Sequence, residues 1–79
     1  MGKIMNTMKR TSKAVLESMN ACGEKVAIDL SHVEYVKEDK LAISGTVGTT
    51  IYFTSGNKLF VEEKYELVKY MLNCFRTGY

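Results

Sequence analysis

Five short runs rich in β-branched and aromatic residues follow one another between residues 25 and 62, and they constrain the fold more than any other feature of the chain. The runs cover residues 25–30, 33–36, 41–43, 49–54 and 58–62. Short runs of this type at regular spacing are typical of antiparallel strands. We therefore predict an antiparallel meander of four to five strands over residues 25–62. Residues 31–37 stay open between a strand and a helical turn, because Ser31 and Glu34 also fit a capping box.

The clearest local signal in the meander is a hairpin around residues 55–57, which read Ser-Gly-Asn. A three-residue loop at this position pairs Ile51 with Val61 and Phe53 with Leu59 on one side of the hairpin. This register separates apolar from mixed residues better than a two-residue loop does. The other side then carries the pairs Thr50/Glu62, Tyr52/Phe60 and Thr54/Lys58.

An amphipathic helix is predicted over residues 3–22. Its apolar positions share one side of a helix with 3.6 residues per turn, and Gly23 follows where a left-handed cap is common. The apolar side comprises Ile4, Met5, Met8, Val15, Leu16, Met19 and Cys22, and the opposite side comprises Lys9, Arg10, Lys13 and Glu17.

A second amphipathic helix is predicted over residues 63–76. Its apolar side contains Leu67, Val68, Met71, Leu72 and Phe75. Acidic residues near its start and a basic residue near its end complement the helix dipole. The predicted fold class is therefore α+β: an N-terminal amphipathic helix, an antiparallel meander of four to five strands, and a C-terminal amphipathic helix, in a single domain over residues 1–79.

The chain has 79 residues, of which 46% are hydrophobic and 25% charged, and its formal net charge is +2. These values are ordinary for a soluble globular protein and exclude a fibrous or disulfide-rich one. A core of this size rarely supplies more than roughly 3–5 kcal/mol of folding free energy, so we expect self-association.

The sequence favours a cytoplasmic protein. No apolar stretch fits a signal peptide or a membrane span, and Cys22 and Cys74 fit reduced thiols.

Residues that carry enzyme chemistry are scarce in the sequence. His32 is the only histidine, and together with the two widely separated cysteines it lacks the spacing of a zinc site. The short glycine-containing segment 45–48 lacks the features of a nucleotide-binding loop. We therefore expect that the protein is not an enzyme and that it binds no cofactor, no metal and no small-molecule substrate.

Two sets of residues are candidates for binding a macromolecule. Tyr52, Phe60 and Lys58 on the hairpin form either a platform for a partner or bases, or a face that the N-terminal helix covers. Residues 1–22 contain four basic groups and one acidic group, so Lys9, Arg10 and Lys13 form either a solvated helix side or a nucleic-acid contact. The leading expectation is a small non-enzymatic interaction or regulatory module that binds a protein or itself. The alternative is a nucleic-acid-binding transcriptional regulator that uses the basic N-terminal helix.

Two segments also carry a family resemblance: EKVAIDLSHVEYVKE over residues 24–38 and TIYFTSGNKLFVEE over residues 50–63, followed by the C-terminal helical pattern. Together they resemble the small FlbD-like proteins linked to flagella and swarming, which show a ladder of the kind I-E-x-I-E-E, then I-x-L-T-x-G-x-x-x-x-V-x-E, then a helix. The hairpin is also similar to strands of LytTR-type DNA-binding domains. The FlbD-like resemblance implies a small cytosolic accessory protein of bacterial or phage origin and brings no catalytic residues.

Overall fold

The computed structural model describes residues 15–78, which form five strands and one helix of a small α+β fold. A hairpin of two antiparallel strands comes first, and a three-stranded antiparallel sheet with strand order β3-β4-β5 follows it. The elements are β1 (Val15–Met19), β2 (Lys25–Asp29), a 3-10 turn (Leu30–His32), β3 (Val33–Lys40), β4 (Val47–Phe53), β5 (Lys58–Val61) and α1 (Tyr65–Thr77).

The predicted N-terminal helix is wrong over residues 15–22, and its first part, residues 3–14, lies outside the described residues. Residues 15–19 form a strand because Leu16 pairs with Ile28 across the β1–β2 hairpin, and both side chains are buried. Gly23 does adopt the left-handed conformation, with φ of +82°, but it belongs to the hairpin loop and caps no helix.

Both hairpins with three-residue loops place a glycine at the third loop position. In each loop this glycine has a positive φ and donates its N–H to the carbonyl of the residue just before the loop, at 3.0 Å for Gly23 and 2.9 Å for Gly56. A left-handed residue is required at this position of the turn, and glycine adopts it without a steric penalty. The second loop is therefore 54–56, one residue earlier than the predicted 55–57.

The earlier loop shifts the β4–β5 register by two residues from the predicted one. Ile51 lies opposite Leu59, and Thr49 lies opposite Val61. The predicted pairing of Ile51 with Val61 and of Phe53 with Leu59 is therefore wrong. A shift of two residues preserves the face on which each side chain lies, because side chains alternate with a period of two.

The hydrophobic core contains buried side chains from both sheets, the 3-10 turn and the helix. Helix α1 packs against β3, β4 and the 3-10 turn. The β1–β2 hairpin is joined to the end of β5, because the Glu62 N–H donates to the Met19 carbonyl at 2.8 Å and Asn20 bridges to Val61. The buried core residues are Leu16, Ile28, Leu30, Val33, Ile51, Val61, Val68 and Leu72.

One predicted strand is a loop in the structure, and each of the two alternatives left open for residues 31–37 is present in part of that segment. The run 41–43, predicted as a strand, forms part of the loop between β3 and β4, and Ile43 is fully exposed there. Residues 31–37 contain the end of a 3-10 turn and the start of a strand. The Asp29 carboxylate caps this turn by accepting from the Ser31 N–H at 2.9 Å and the Ser31 hydroxyl at 2.6 Å, and β3 begins at Val33.

A β-bulge at the start of β3 fixes the register of the three-stranded sheet. Val33 pairs with Phe53, but the next pair is Tyr35 with Tyr52, so Glu34 is an extra residue in β3. Arg76 near the end of α1 donates from Nη2 to the Val33 carbonyl at 3.1 Å and to the Glu34 carbonyl at 2.7 Å. Hydrogen bonds from a charged donor are stronger than neutral ones, so this contact ties the helix end to the bulge.

Arg76→Gln is expected to lower the free energy of unfolding by about 1 kcal/mol, because both carbonyls lose a charged donor. Asn73→Gln is the control, since Asn73 is an exposed residue of the same helix and its side chain makes no hydrogen bond within residues 15–78. Urea unfolding followed by circular dichroism measures both variants. Equal stability of the two variants would contradict the role assigned to Arg76.

Candidate interaction surface on the three-stranded sheet

The side of the three-stranded sheet that faces away from the core carries aromatic and charged side chains in rows across the strands. Because the core side of β4 presents Ile51 and Thr49, the even-numbered residues of β4 and their cross-strand partners lie on the outer side. One row is Tyr35, Tyr52 and Lys58, and the next is Lys37, Thr50 and Phe60. We name this surface the tyrosine–lysine face; it consists of Tyr35, Lys37, Asp39, Gly48, Thr50, Tyr52, Lys58 and Phe60.

Two tyrosines form the most organised part of the face. The rings of Tyr35 and Tyr52 stack with centroids 4.4 Å apart and an angle of 9° between their planes. The Lys37 ammonium lies 5.9 Å from the centroid of the Tyr52 ring, within the range of a cation–π interaction. Tyr35 is 49% exposed in the folded chain. A large aromatic side chain is thus held in a defined orientation while half of it contacts solvent.

Phe60 packs along the sheet over Gly48. A Cβ atom at position 48 would lie 2.7 Å from the Phe60 Cζ and would also collide with the Val61 carbonyl. The glycine therefore provides the space for the phenyl ring, an arrangement in which an aromatic side chain covers a glycine of the neighbouring strand. Phe60 is half-buried as a result, and it supports the face more than it projects from it.

A buried threonine organises the only carboxylate of the face. The Thr50 hydroxyl donates to the Asp39 Oδ2 at 2.7 Å, and the Lys40 N–H donates to the Asp39 Oδ1 at 2.8 Å. These two hydrogen bonds, with smaller contributions from the charges of Lys37 and Lys58, hold the pKa of Asp39 below its usual value of 3.8. Asp39 is thus a carboxylate with fixed partners at neutral pH.

The structure brings together the three hairpin residues singled out from the sequence, but in a different pairing. Tyr52 lies opposite Lys58, and Phe60 lies opposite Thr50. The predicted direct pairs are therefore wrong, namely Thr50/Glu62, Tyr52/Phe60 and Thr54/Lys58. Helix α1 packs on the other side of the sheet, where Val68 and Leu72 join the core. The basic candidates Lys9, Arg10 and Lys13 lie outside the described residues.

Tyr35 and Lys37 were not predicted from the sequence as members of the face. The only signal was the apolar Val36 between Tyr35 and Lys37, an alternation too short to identify a half-buried strand, since Glu38 follows. It was obscured because residues 31–37 also fitted a helical turn. The stacked tyrosine pair could not be predicted without the bulge that places Tyr35 opposite Tyr52.

Other chemistry-bearing residues lie apart from this face. His32 is exposed, with its Nε2 3.6 Å from the Asp29 Oδ2, and both cysteines are free thiols. Within residues 15–78, no three potential metal ligands of the His, Cys, Asp or Glu type form a group. No helix in this same part of the chain has the length and apolarity needed to cross a membrane.

No protein-family model matches the chain, and it matches none of the curated proteins or solved structures with which it was compared.

We predict that the pKa of Asp39 rises toward its usual value of 3.8 in Thr50→Val, because the substitution removes the hydroxyl donor and keeps the β-branched shape. NMR titration of the Asp39 carboxyl carbon measures this pKa in both proteins. In the unchanged protein the lowered pKa stabilises the fold above about pH 3.8, and this contribution is lost as the pH decreases through the folded-state pKa.

Asp29 is the internal control for this titration, since its pKa is lowered by Ser31 and not by Thr50. It should titrate at the same pH in both proteins. An unchanged pKa of Asp39 in Thr50→Val would contradict the assignment.

Proposed function

We propose that this protein is a small non-enzymatic interaction module that binds its partner through the tyrosine–lysine face. The observation that supports the proposal is the stacked pair of Tyr35 and Tyr52, with Tyr35 half exposed on the side of the sheet opposite the core and with Lys37 and Lys58 beside the pair. Tyrosine is enriched at binding surfaces because it offers a large amphipathic area with few rotatable bonds.

The organisation of the face favours binding over catalysis. General acid–base chemistry needs a titratable group matched to the working pH, whereas the only carboxylate of the face has a pKa shifted further into the acid range. The neighbouring groups supply contact area, positive charge and hydrogen-bonding capacity. These are the properties that a recognition surface uses.

The stacking also lowers the cost of binding. A free tyrosine side chain on a surface loses rotamer freedom when a partner covers it. Tyr35 is already restricted by the Tyr52 ring and by its place in β3. A partner that covers Tyr35 therefore meets a surface that is largely preorganised.

Two further expectations remain proposals. A regulatory or accessory role, as the FlbD-like resemblance implies, is compatible with a binding module of this size. Self-association, expected from the short chain, is measured directly by light scattering of the purified protein over a salt series.

The proposed surface is tested with a photo-crosslinking amino acid, benzoylphenylalanine, placed at Tyr35 or at Lys58 in cells that produce the protein. Irradiation should give a discrete product of higher mass from both positions, since both lie on the binding face. Tyr70 is the matched control, because it is an aromatic residue with 65% exposure on α1. We expect no such product from position 70.

Tyr52→Ala in the protein labelled at Lys58 should abolish the product, because it removes the ring on which Tyr35 stacks and which Lys58 faces. Products from position 70 alone, or none from position 35, would refute the assignment of the binding face.

A further inference from the structure

We infer that the partner of the tyrosine–lysine face is a single strand of nucleic acid, held by base stacking on Tyr35 and by phosphate contacts to Lys37 and Lys58. This inference rests on the proposed function and adds the chemical class of the partner. It depends on two observations that point to different parts of one ligand: the half-exposed Tyr35 ring, and two lysines, Lys37 and Lys58, on the same face of the sheet.

The ring face that could accept a base belongs to Tyr35. One side of this ring stacks on Tyr52, which lies on the inner strand β4. Among the described residues, β3 is an outer strand of its sheet, so the other side of the ring is directed away from β4 and over the sheet edge. A planar base placed there would continue the column of Tyr35 and Tyr52. Stacking of this type accepts every base, because each base has a π-face.

The lysines flank this column at a spacing that fits a nucleic-acid backbone. Lys37 lies two residues beyond Tyr35 on the same strand, and Lys58 lies opposite Tyr52 on β5. With strands about 4.8 Å apart and a rise of about 3.4 Å per residue, the two backbone positions are roughly 12 Å apart. Flexible lysine side chains at this distance can reach two phosphates of an extended strand.

Asp39 limits where the strand can lie. Its carboxylate is held by Thr50 at the end of the face opposite the tyrosines. Phosphates are repelled from the row of Asp39 and attracted to Lys58, which lies in the row of the tyrosines, and to Lys37 in the row between them. The charge pattern therefore favours a short path across the tyrosine end of the sheet, with a contact of only a few nucleotides.

A single strand explains the face better than the other macromolecular ligands. Bases in a duplex are stacked on each other and cannot offer a free face to Tyr35, whereas unpaired bases can. An acidic peptide would satisfy Lys37 and Lys58, but its carboxylates supply no planar ring to extend the aromatic column. A single strand can contact both the Tyr35 ring and the lysines, because each nucleotide carries a base and a phosphate.

Fluorescence anisotropy of the full chain with labelled oligonucleotides tests the inference. The probes are an oligothymidine and an oligouridine of about 12 nucleotides, with a DNA duplex of equal length as the comparison. We expect the single strands to bind more tightly than the duplex. With two phosphate contacts, the affinity for the single strand should decrease about sevenfold between roughly 50 mM and 200 mM salt.

Substitutions distinguish the contribution of base stacking to the affinity from the contribution of the lysine charges. Tyr35→Leu should weaken binding by about tenfold at every salt concentration, and Tyr35→Phe should preserve it. Lys58→Gln should reduce the slope of log affinity against log salt by about 0.7. Lys40→Gln is the control, because Lys40 is an exposed lysine of β3 but lies opposite Val47, on the other side of the sheet, and it should leave binding unchanged.

Two results of these titrations would overturn the inference. The first is the absence of binding to either single strand. The second is binding that persists in Tyr35→Leu but is lost when Lys9, Arg10 and Lys13 are all replaced by glutamine in one triple variant. The affinity would then come from the N-terminal basic residues and not from the tyrosine–lysine face.

The crosslinked product from position 35 distinguishes this inference from the proposed function. A product that nuclease shortens supports both. A product that resists nuclease and yields a second polypeptide on proteolysis overturns the nucleic-acid inference and leaves the proposed binding face supported. The lack of any product from position 35 overturns both.

Discussion

One extra residue in β3 decides which side chains of the sheet face the core and which face outward. Val33 is buried in the core opposite Phe53, and the inserted Glu34 then places Tyr35 on the outer side, opposite Tyr52. Without the insertion, alternation along the strand would put Val33 and Tyr35 on the same side. Arg76 offsets the cost of the bulge, because its guanidinium donates to the carbonyls of both residues at the irregularity. The end of the helix and the outer face of the sheet are thus physically connected.

The two sides of the three-stranded sheet consequently have different roles. Ile51 and Val61 on the inner side are fully buried, and the Thr49 hydroxyl there donates to the Glu63 carbonyl at 2.9 Å, which fixes the connection between β5 and α1. On the outer side, the Tyr35–Tyr52 stack leaves aromatic surface in contact with water. In so small a domain the hydrophobic core is limited. The proposed binding function uses this exposed aromatic surface.

The C-terminal helix and the sides of one hairpin could be predicted from the sequence. The N-terminal strand and the bulge could not. The apolar spacing of Val68 and Leu72 indicated a C-terminal helix over residues 63–76, and α1 is present with shifted ends, at Tyr65–Thr77. The sides of the 51–61 hairpin were assigned correctly although its register was not, since an error of two residues preserves the alternation. The N-terminal error has a different cause: apolar residues over 15–22 fit the helical period, and Gly23 fits both a helix cap and a hairpin loop. Only the pairing of Leu16 with Ile28 decides between them. The bulge has its side-chain contact in Arg76, more than forty residues away, so no local pattern predicts that contact.

The dependence of the face on the bulge is tested most directly by nuclear Overhauser effects across β3 and β4 in solution. We expect contacts between the rings of Tyr35 and Tyr52, and contacts between Val36 and Ile51. A regular strand without the extra residue would instead bring the Tyr35 ring to Ile51 and place Glu34 opposite Tyr52. Observation of this second pattern would show that Tyr35 lies on the core side and that the tyrosine–lysine face does not exist.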